Sequence, residues 1–236
     1  MEIKELKKDK NLDFWFNTTD NLTEVMQEQL YKYYLLIHEY NKNMNLTGID
    51  DLHGVYLKHF YDSITIDNLI TQKSNCSIAD LGSGAGFPGI ILAIIYPEND
   101  IYLIEPLTKR CKFLEVVVKE LNLSNTIVLN KRAEDIEMRF DYVVSRAVAR
   151  LNILLELAIP LVNIDGFFIA LKGAIAKEEI DEASNAMEKL YVNIQDLEEV
   201  TLPIEESKRA NIKFLKFAKT KSIYPRNFGQ IKKNPL

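Results

Sequence analysis

Hydrophobic and polar positions run along this chain in three successive rhythms. Through residues 1–75 the apolar positions recur at helical spacing, with Leu22, Val25, Met26, Leu30, Tyr33, Tyr34 and Ile37 forming one stripe. Asn21, with Glu24 three positions on, is placed as the N-cap of that helix. After a break at Asn45-Leu46-Thr47-Gly48, a second helix carries Leu52, Val55, Tyr56, His59, Phe60 and Ile64 on one face. Between 76 and 173, apolar runs of strand length alternate with helical stretches. Residues 76–81, 101–105, 126–129, 142–144 and 167–171 read as strands, and 108–121 and 151–162 as helices. Pro88 sits in the first turn of a further helix, where its missing N–H costs little. From 174 onward an acidic helix comes first, followed by closing strands at 192–202 and 212–218 and an extended, basic end from Tyr224 to Pro235.

This β-α-β-α order predicts an α/β fold: a mostly parallel, Rossmann-like sheet with helices on both faces. Its ligand crevice belongs at the carboxyl ends of the strands, where the strand order reverses. The longest unbroken apolar run, residues 90–96, is far below the roughly 18 residues of a membrane helix, so no membrane span is expected. Two cysteines, Cys76 and Cys111, lack metal-ligand spacing, and His38, His53 and His59 form no H-x-x-x-H pair, so no metal is expected. The cysteine usage and an N-terminus without a leader point to the cytoplasm.

Charge changes the picture. The formal net charge is −5, yet the residues from Ser207 onward carry nine basic groups and no acid, against −14 for residues 1–206. Such asymmetry suggests a polyanion-facing surface. A solvated lysine-rich terminus is the plainer alternative.

The candidate chemistry lies at the strand ends. Asp80-Leu81-Gly82-Ser83-Gly84-Ala85-Gly86-Phe87-Pro88-Gly89 turns the first strand into a helix. Gly84, Gly86 and Gly89 match the dinucleotide fingerprint, whereas Asp80 with Gly82, Gly84 and Gly86 matches the loop of S-adenosylmethionine-dependent methyltransferases. An acid before the loop compensates that cofactor's ammonium and would repel a pyrophosphate. No Lys-Ser or Lys-Thr follows, which excludes a P-loop. Glu105, ending the second strand, is placed to accept ribose hydroxyls of either cofactor, or else to cap the turn before Pro106. Glu134, after the third strand, is placed for an adenine amine, with a helix cap as the alternative. The chain has no Pro-Pro for an amino-group methyltransferase motif and no Pro-Cys nucleophile for pyrimidine C5, and Cys76 and Cys111 are expected on the wrong side of the sheet. What remains is an acceptor that loses no proton, such as purine N7, assisted by positioning and charge.

Several motifs together resemble the bacterial glucose-inhibited division protein B family, also called RsmG, a 16S ribosomal RNA guanine-N7 methyltransferase family. They are Asn45-Leu46-Thr47, His59-x-x-Asp62-Ser63, the Asp80–Gly89 loop, Arg132-Ala133-Glu134, Ser145-Arg146-Ala147-Val148-Ala149, Leu171-Lys172-Gly173 and Tyr224-Pro225-Arg226. The resemblance implies a class I methyltransferase domain over 76–236, with a basic C-terminal segment, behind a helical N-terminal extension over 1–75. It implies S-adenosyl-L-methionine as cofactor and S-adenosyl-L-homocysteine as product, without metal. Gly82, Phe87, Ala133, Glu134 and Arg146 would be cofactor contacts, joining Asp80, Gly84, Gly86 and Glu105. His59, Asp62 and Ser63 would border the target base, with Arg146, His59 and Asp62 as positioning groups and no certain catalytic base. Lys172, Lys208, Arg209, Lys213 and Arg226 are the candidate RNA contacts. The expected partner is 16S ribosomal RNA, naked or inside the assembling small subunit, with the enzyme a monomer. An NAD-linked oxidoreductase and a non-enzymatic RNA-binding module are the competing readings.

Overall fold

A computed structural model describes residues 3–72, 74–174 and 177–236. Seven strands form one sheet: β1 (Ser77–Leu81), β2 (Asp100–Ile104), β3 (Thr126–Leu129), β4 (Phe140–Arg146), β5 (Val162–Lys172), β6 (Val192–Thr201) and β7 (Lys208–Lys216). Their order is β3-β2-β1-β4-β5-β7-β6. β1 to β5 pair in parallel, and β7 lies antiparallel between β5 and β6. The order reverses between β1 and β4, so a crevice opens at their carboxyl ends.

Period-two alternation assigns each strand residue to a face. Ile78, Tyr142, Val144, Ile169 and Leu171 face one core, and Ala79, Val143, Phe168 and Ala170 face the other. The first core is covered by α6 (Gly89–Ile95), α7 (Thr108–Glu120) and the N-terminal helices α1 (Ile3–Leu6), α2 (Asp13–Thr18), α3 (Glu24–Met44), α4 (Leu52–Val55) and α5 (Asp62–Ile64). A wide π-helical turn, Tyr56–Tyr61, joins α4 to α5. The second core is covered by α8 (Leu151–Ala158), α9 (Lys177–Glu182), α10 (Ser184–Leu190) and α11 (Phe228–Lys233). Thus the N-terminal helices contribute to a hydrophobic core continuous with one face of the sheet.

Five local expectations need correction. The cap of α3 is Thr23, whose hydroxyl accepts from the Met26 N–H at 3.3 Å; Asn21 lies too far ahead of Glu24 to reach. The helix expected over 151–162 stops at Ala158, and Ile159–Leu161 is a 3₁₀ turn, because Pro160 cannot extend an α-helix. β5 therefore starts at Val162 instead of 167, and β7 starts at Lys208 instead of 212. The end is not wholly extended: Asn227 caps α11 through the Gly229 N–H at 2.9 Å, and Ile231 is buried beneath it. Among the described residues no helix is long and apolar enough to cross a membrane.

Candidate active site

β1 ends at Leu81, and the chain turns through glycines at positive φ before α6 begins. Gly82 has φ +75°, and a Cβ there would stand 2.6 Å from Val148 Cγ2. Gly86 has φ +106°, and its Cβ would lie 2.6 Å from Ile90 and 2.7 Å from the Tyr33 hydroxyl, so neither Gly82 nor Gly86 has room for a side chain. Tyr33, on α3, donates to the Ala85 carbonyl at 2.6 Å and fixes the loop from the N-terminal side.

Asp80 lies beneath this loop, fully buried. Its Oδ2 accepts the Gly89 N–H at 3.0 Å, while Oδ1 has no hydrogen-bond partner among the described residues. Burial pushes its carboxyl up to about 7. Glu105 follows β2 with both oxygens engaged: Oε2 accepts from Gly84 N and Oε1 from Leu107 N, each at 2.9 Å. The carboxylate ties the glycine loop to the start of α7, and Arg110 stands 3.8 Å from Oε2. Cys111 sits closer to this end of the sheet than its sequence reading placed it, its thiol buried and donating to the Glu105 carbonyl at 3.0 Å.

A cleft of about 560 Å³ opens over the loop, lined by Gly82, Gly84, Phe87, Glu105, Arg132, Arg146 and His59 among others. It shares Gly82, Pro106, Arg132 and Val148 with a mainly apolar slot of about 220 Å³ that also contains Ile104, Ala133, Glu134, Leu157 and Phe228. Asp80 lines neither cavity.

The far wall comes from the N-terminal segment. Arg146, at the end of β4, donates through Nη1 to Asp62 Oδ2 at 2.9 Å and to the Lys58 carbonyl at 3.0 Å. Its guanidinium lies 5.1 Å from the Phe87 ring centroid. Asp62, almost fully buried, spends its other oxygen on Arg209 Nε at 2.9 Å. Two arginines thus share one carboxylate. His59 stacks on Phe87, centroids 4.4 Å apart, with Nε2 2.8 Å from the Thr47 hydroxyl. Burial, reinforced by the Arg146 charge, pushes its pKa down to about 4, so the imidazole is neutral near pH 7. A second cleft of about 390 Å³ adjoins the first through His59, Arg146 and Ala147, and adds Lys58, Asp62, Lys172 and Arg209.

The basic candidates separate. Lys208 is exposed on β7. Lys213 is corrected: it is 4 % exposed, with its ammonium 4.1 Å from the Phe167 ring centroid, inside the fold and away from any phosphate. Lys172 is engaged by the Ala149 carbonyl and by Glu179. Arg226 is also corrected, because its guanidinium grips the buried Glu156. Tyr33, Thr47, Val148 and Phe228 were missed by sequence reasoning. For Glu156 there was a signal, a lone acid inside the apolar run of α8. Thr47 and Val148 stood inside two of the quoted motifs without being singled out, and Tyr33 and Phe228 carried no signal.

Comparison with known proteins fits this geometry. The model of the GidB family, described as rRNA small subunit methyltransferase G, matches residues 26–211. A ribosomal RNA small subunit methyltransferase G of Halalkalibacterium halodurans is 41% identical over 222 residues, 92% of this chain and 93% of the relative. One from Staphylococcus epidermidis is 42% identical over 220 residues, 91% and 92% respectively. Among solved structures, a SAM-dependent methyltransferase from Aquifex aeolicus aligns with TM-score 0.56 and 16% identity over 72% of this chain and 97% of that one. M. jannaschii TYW2 in complex with AdoMet aligns with TM-score 0.53 and 18% identity over 66% and 77%. At these identities the likeness is one of fold, the Rossmann-like class I methyltransferase architecture.

Proposed function

The chain belongs to the GidB family of rRNA small subunit methyltransferase G, and on that footing we propose that it transfers the methyl group of S-adenosylmethionine to N7 of a guanine in 16S ribosomal RNA. The observation that carries the N7 reading is the cleft itself, where the imidazole beside Phe87 and Arg146 has its pKa near 4. Such a group is a poor proton acceptor at neutral pH. N7 attacks with a lone pair and loses no proton, so it suits a site of this kind.

The residues present fit the cofactor. The loop from Gly82 to Phe87 would hold its amino-acid end, with Asp80, which lines neither cavity, bracing the loop from beneath through the Gly89 N–H. Glu105 would take the ribose hydroxyls with lone pairs left beside its two backbone bonds. Ala133 and Glu134 would take the adenine in the apolar slot. When bound, S-adenosylmethionine supplies a methyl group activated by a sulfonium and leaves as S-adenosylhomocysteine.

The chain's own residues then do positional work. Asp62 and the Lys58 carbonyl hold Arg146 on the face of Phe87, between the cofactor cleft and the second cleft. His59 fills the joint between them as an uncharged stacking surface. Because Thr47, Lys58, His59 and Asp62 supply that wall, the helical extension belongs to the acceptor side of the site. In A-form RNA the N7 edge faces a groove too deep and narrow for side chains, so the guanine enters unpaired or turned out of its helix. We place the reaction on 16S ribosomal RNA in the assembling small subunit, in the cytoplasm, with the enzyme acting as a monomer and without metal.

Substituting 7-deazaguanine at the target tests the acceptor. Methylation should vanish while RNA binding persists. A deaza substrate that is still methylated would replace N7 by an amino or ribose acceptor.

A further inference from the structure

Beyond β7 the chain adds no strand to the sheet, yet it is fastened firmly to α8. Glu156 stands in the apolar run of α8 with its side chain wholly buried. Its carboxylate accepts the backbone N–H of Arg226 at 3.0 Å, Nε at 2.7 Å and Nη2 at 2.6 Å. Nη2 also donates to the Asn234 carbonyl at 3.0 Å, closing the terminal turn on itself. Ile231 and Leu236 drop into the core below. A buried carboxylate persists only when its charge is paired and its lone pairs are used, and one residue meets both needs here.

The consequence of this fastening is the location of one ring. Asn227 caps α11, and Phe228, its first residue, stands in the wall of the 220 Å³ slot together with Ile104, Ala133, Glu134 and Leu157. Phe228 is 37 % exposed, an aromatic ring left open on a mainly apolar slot whose charged lining is Glu134, Lys131 and Arg132. Such a lining suits a flat heteroaromatic ligand bearing an exocyclic amine, its faces against the apolar groups and its amine on the acid.

We infer that Phe228 packs against the adenine of the cofactor, and that Arg226 is a positioning residue which holds Phe228 there through Glu156. The inference rests on the methyltransferase reading of the cleft and adds to it a wall supplied by the C-terminal segment.

The test titrates full-length chains with S-adenosylhomocysteine and with adenosine in a calorimeter, and measures RNA affinity at one fixed salt. Phe228→Ala should weaken both ligands about tenfold, the scale of one stacked base, and leave RNA affinity unchanged. Phe228→Tyr should restore the binding. Arg226→Ala should raise KM for S-adenosylmethionine more than it lowers kcat, a split that general loss of folded enzyme does not produce. Arg226→Lys, which keeps the charge but not the fork, should rescue part of it. If Arg226→Ala does not fold, the exposed Phe228 decides the matter alone. Native chain that binds adenosine, with Phe228→Ala binding it equally well, overturns the inference and leaves the methyltransferase reading standing. Native chain that binds neither ligand overturns both. Arg226→Ala that loses RNA while keeping cofactor affinity returns Arg226 to the RNA surface.

Discussion

His59 and Asp80 titrate in opposite senses within this fold. His59 has its pKa near 4, below the ordinary 6.5, so on acidification the unfolded chain takes up a proton before the native one does. Its contribution is present above about pH 6.5 and is lost as pH falls toward 4. Asp80 has its pKa near 7, above the ordinary 3.8, so here the native chain is the one that binds the extra proton. Its contribution is present at low pH and is lost as pH rises toward 7. Each slope is at most about 1.4 kcal/mol per pH unit, and across their common window they oppose. Urea unfolding of Asp80→Asn should therefore weaken with acid more steeply than the native protein, and His59→Gln should weaken with rising pH. Three parallel pH profiles would refute both assignments. Glycine and carboxylate at the loop make a second prediction. Gly82→Val places a branched side chain at φ +75° and against Val148, and Glu105→Ala strips acceptors from Gly84 and Leu107. Calorimetry should find S-adenosylmethionine binding severely weakened in the first and down by about 1.5–3 kcal/mol in the second, with a lower Tm as well. Unchanged affinity in both would remove the cofactor from this cleft.

Among the elements, β7 divides a basic run into three fates. Lys208 faces solvent, Arg209 is drawn back to Asp62, and Lys213 and Lys216 point into the protein. Lys216 donates to the Ile159 and Val162 carbonyls at 2.9 and 2.7 Å, and burial pushes its pKa down to about 8. Lys213 and Lys216 lie on opposite faces of the strand, and Lys208 shares a face with Lys216, so what packs over each position decides its fate rather than alternation alone. RNA binding measured over a salt series should separate these roles. Lys208→Ala should weaken binding and flatten the log–log salt slope by about 1, as loss of one phosphate contact does. Lys213→Met should leave the slope unchanged. Equal flattening in both would place the Lys213 ammonium on the RNA.

For the whole molecule, the N-terminal helices and the sheet act as one core. Leu30, Tyr33 and Phe60 belong to the same buried cluster as Ile78, Leu103 and Ile169. A chain starting at residue 76 should lose cooperative unfolding, because one face of its sheet is left without a cover; a sharp melting transition in that fragment would contradict the shared core. Catalysis belongs to this scale as well. With cofactor saturating, single-turnover methylation should stay nearly flat from about pH 6 to 9, since no side chain need take the proton. A limb with a pKa near 7 that persists in Asp80→Asn would reinstate a general base. The sequence by itself determined the α/β alternation, the glycine loop, and the places of Glu105, Glu134 and Arg146 at strand ends, because period and turn chemistry are local properties. It did not determine what Arg146, Arg226 or Lys213 touch. Asp62 and Arg209 are separated by 147 positions, Arg146 and Asp62 by 84, Arg226 and Glu156 by 70. A long cationic side chain reaches solvent, a ring or a buried carboxylate according to what packs beside it, and only the assembled sheet and its covering helices decide that.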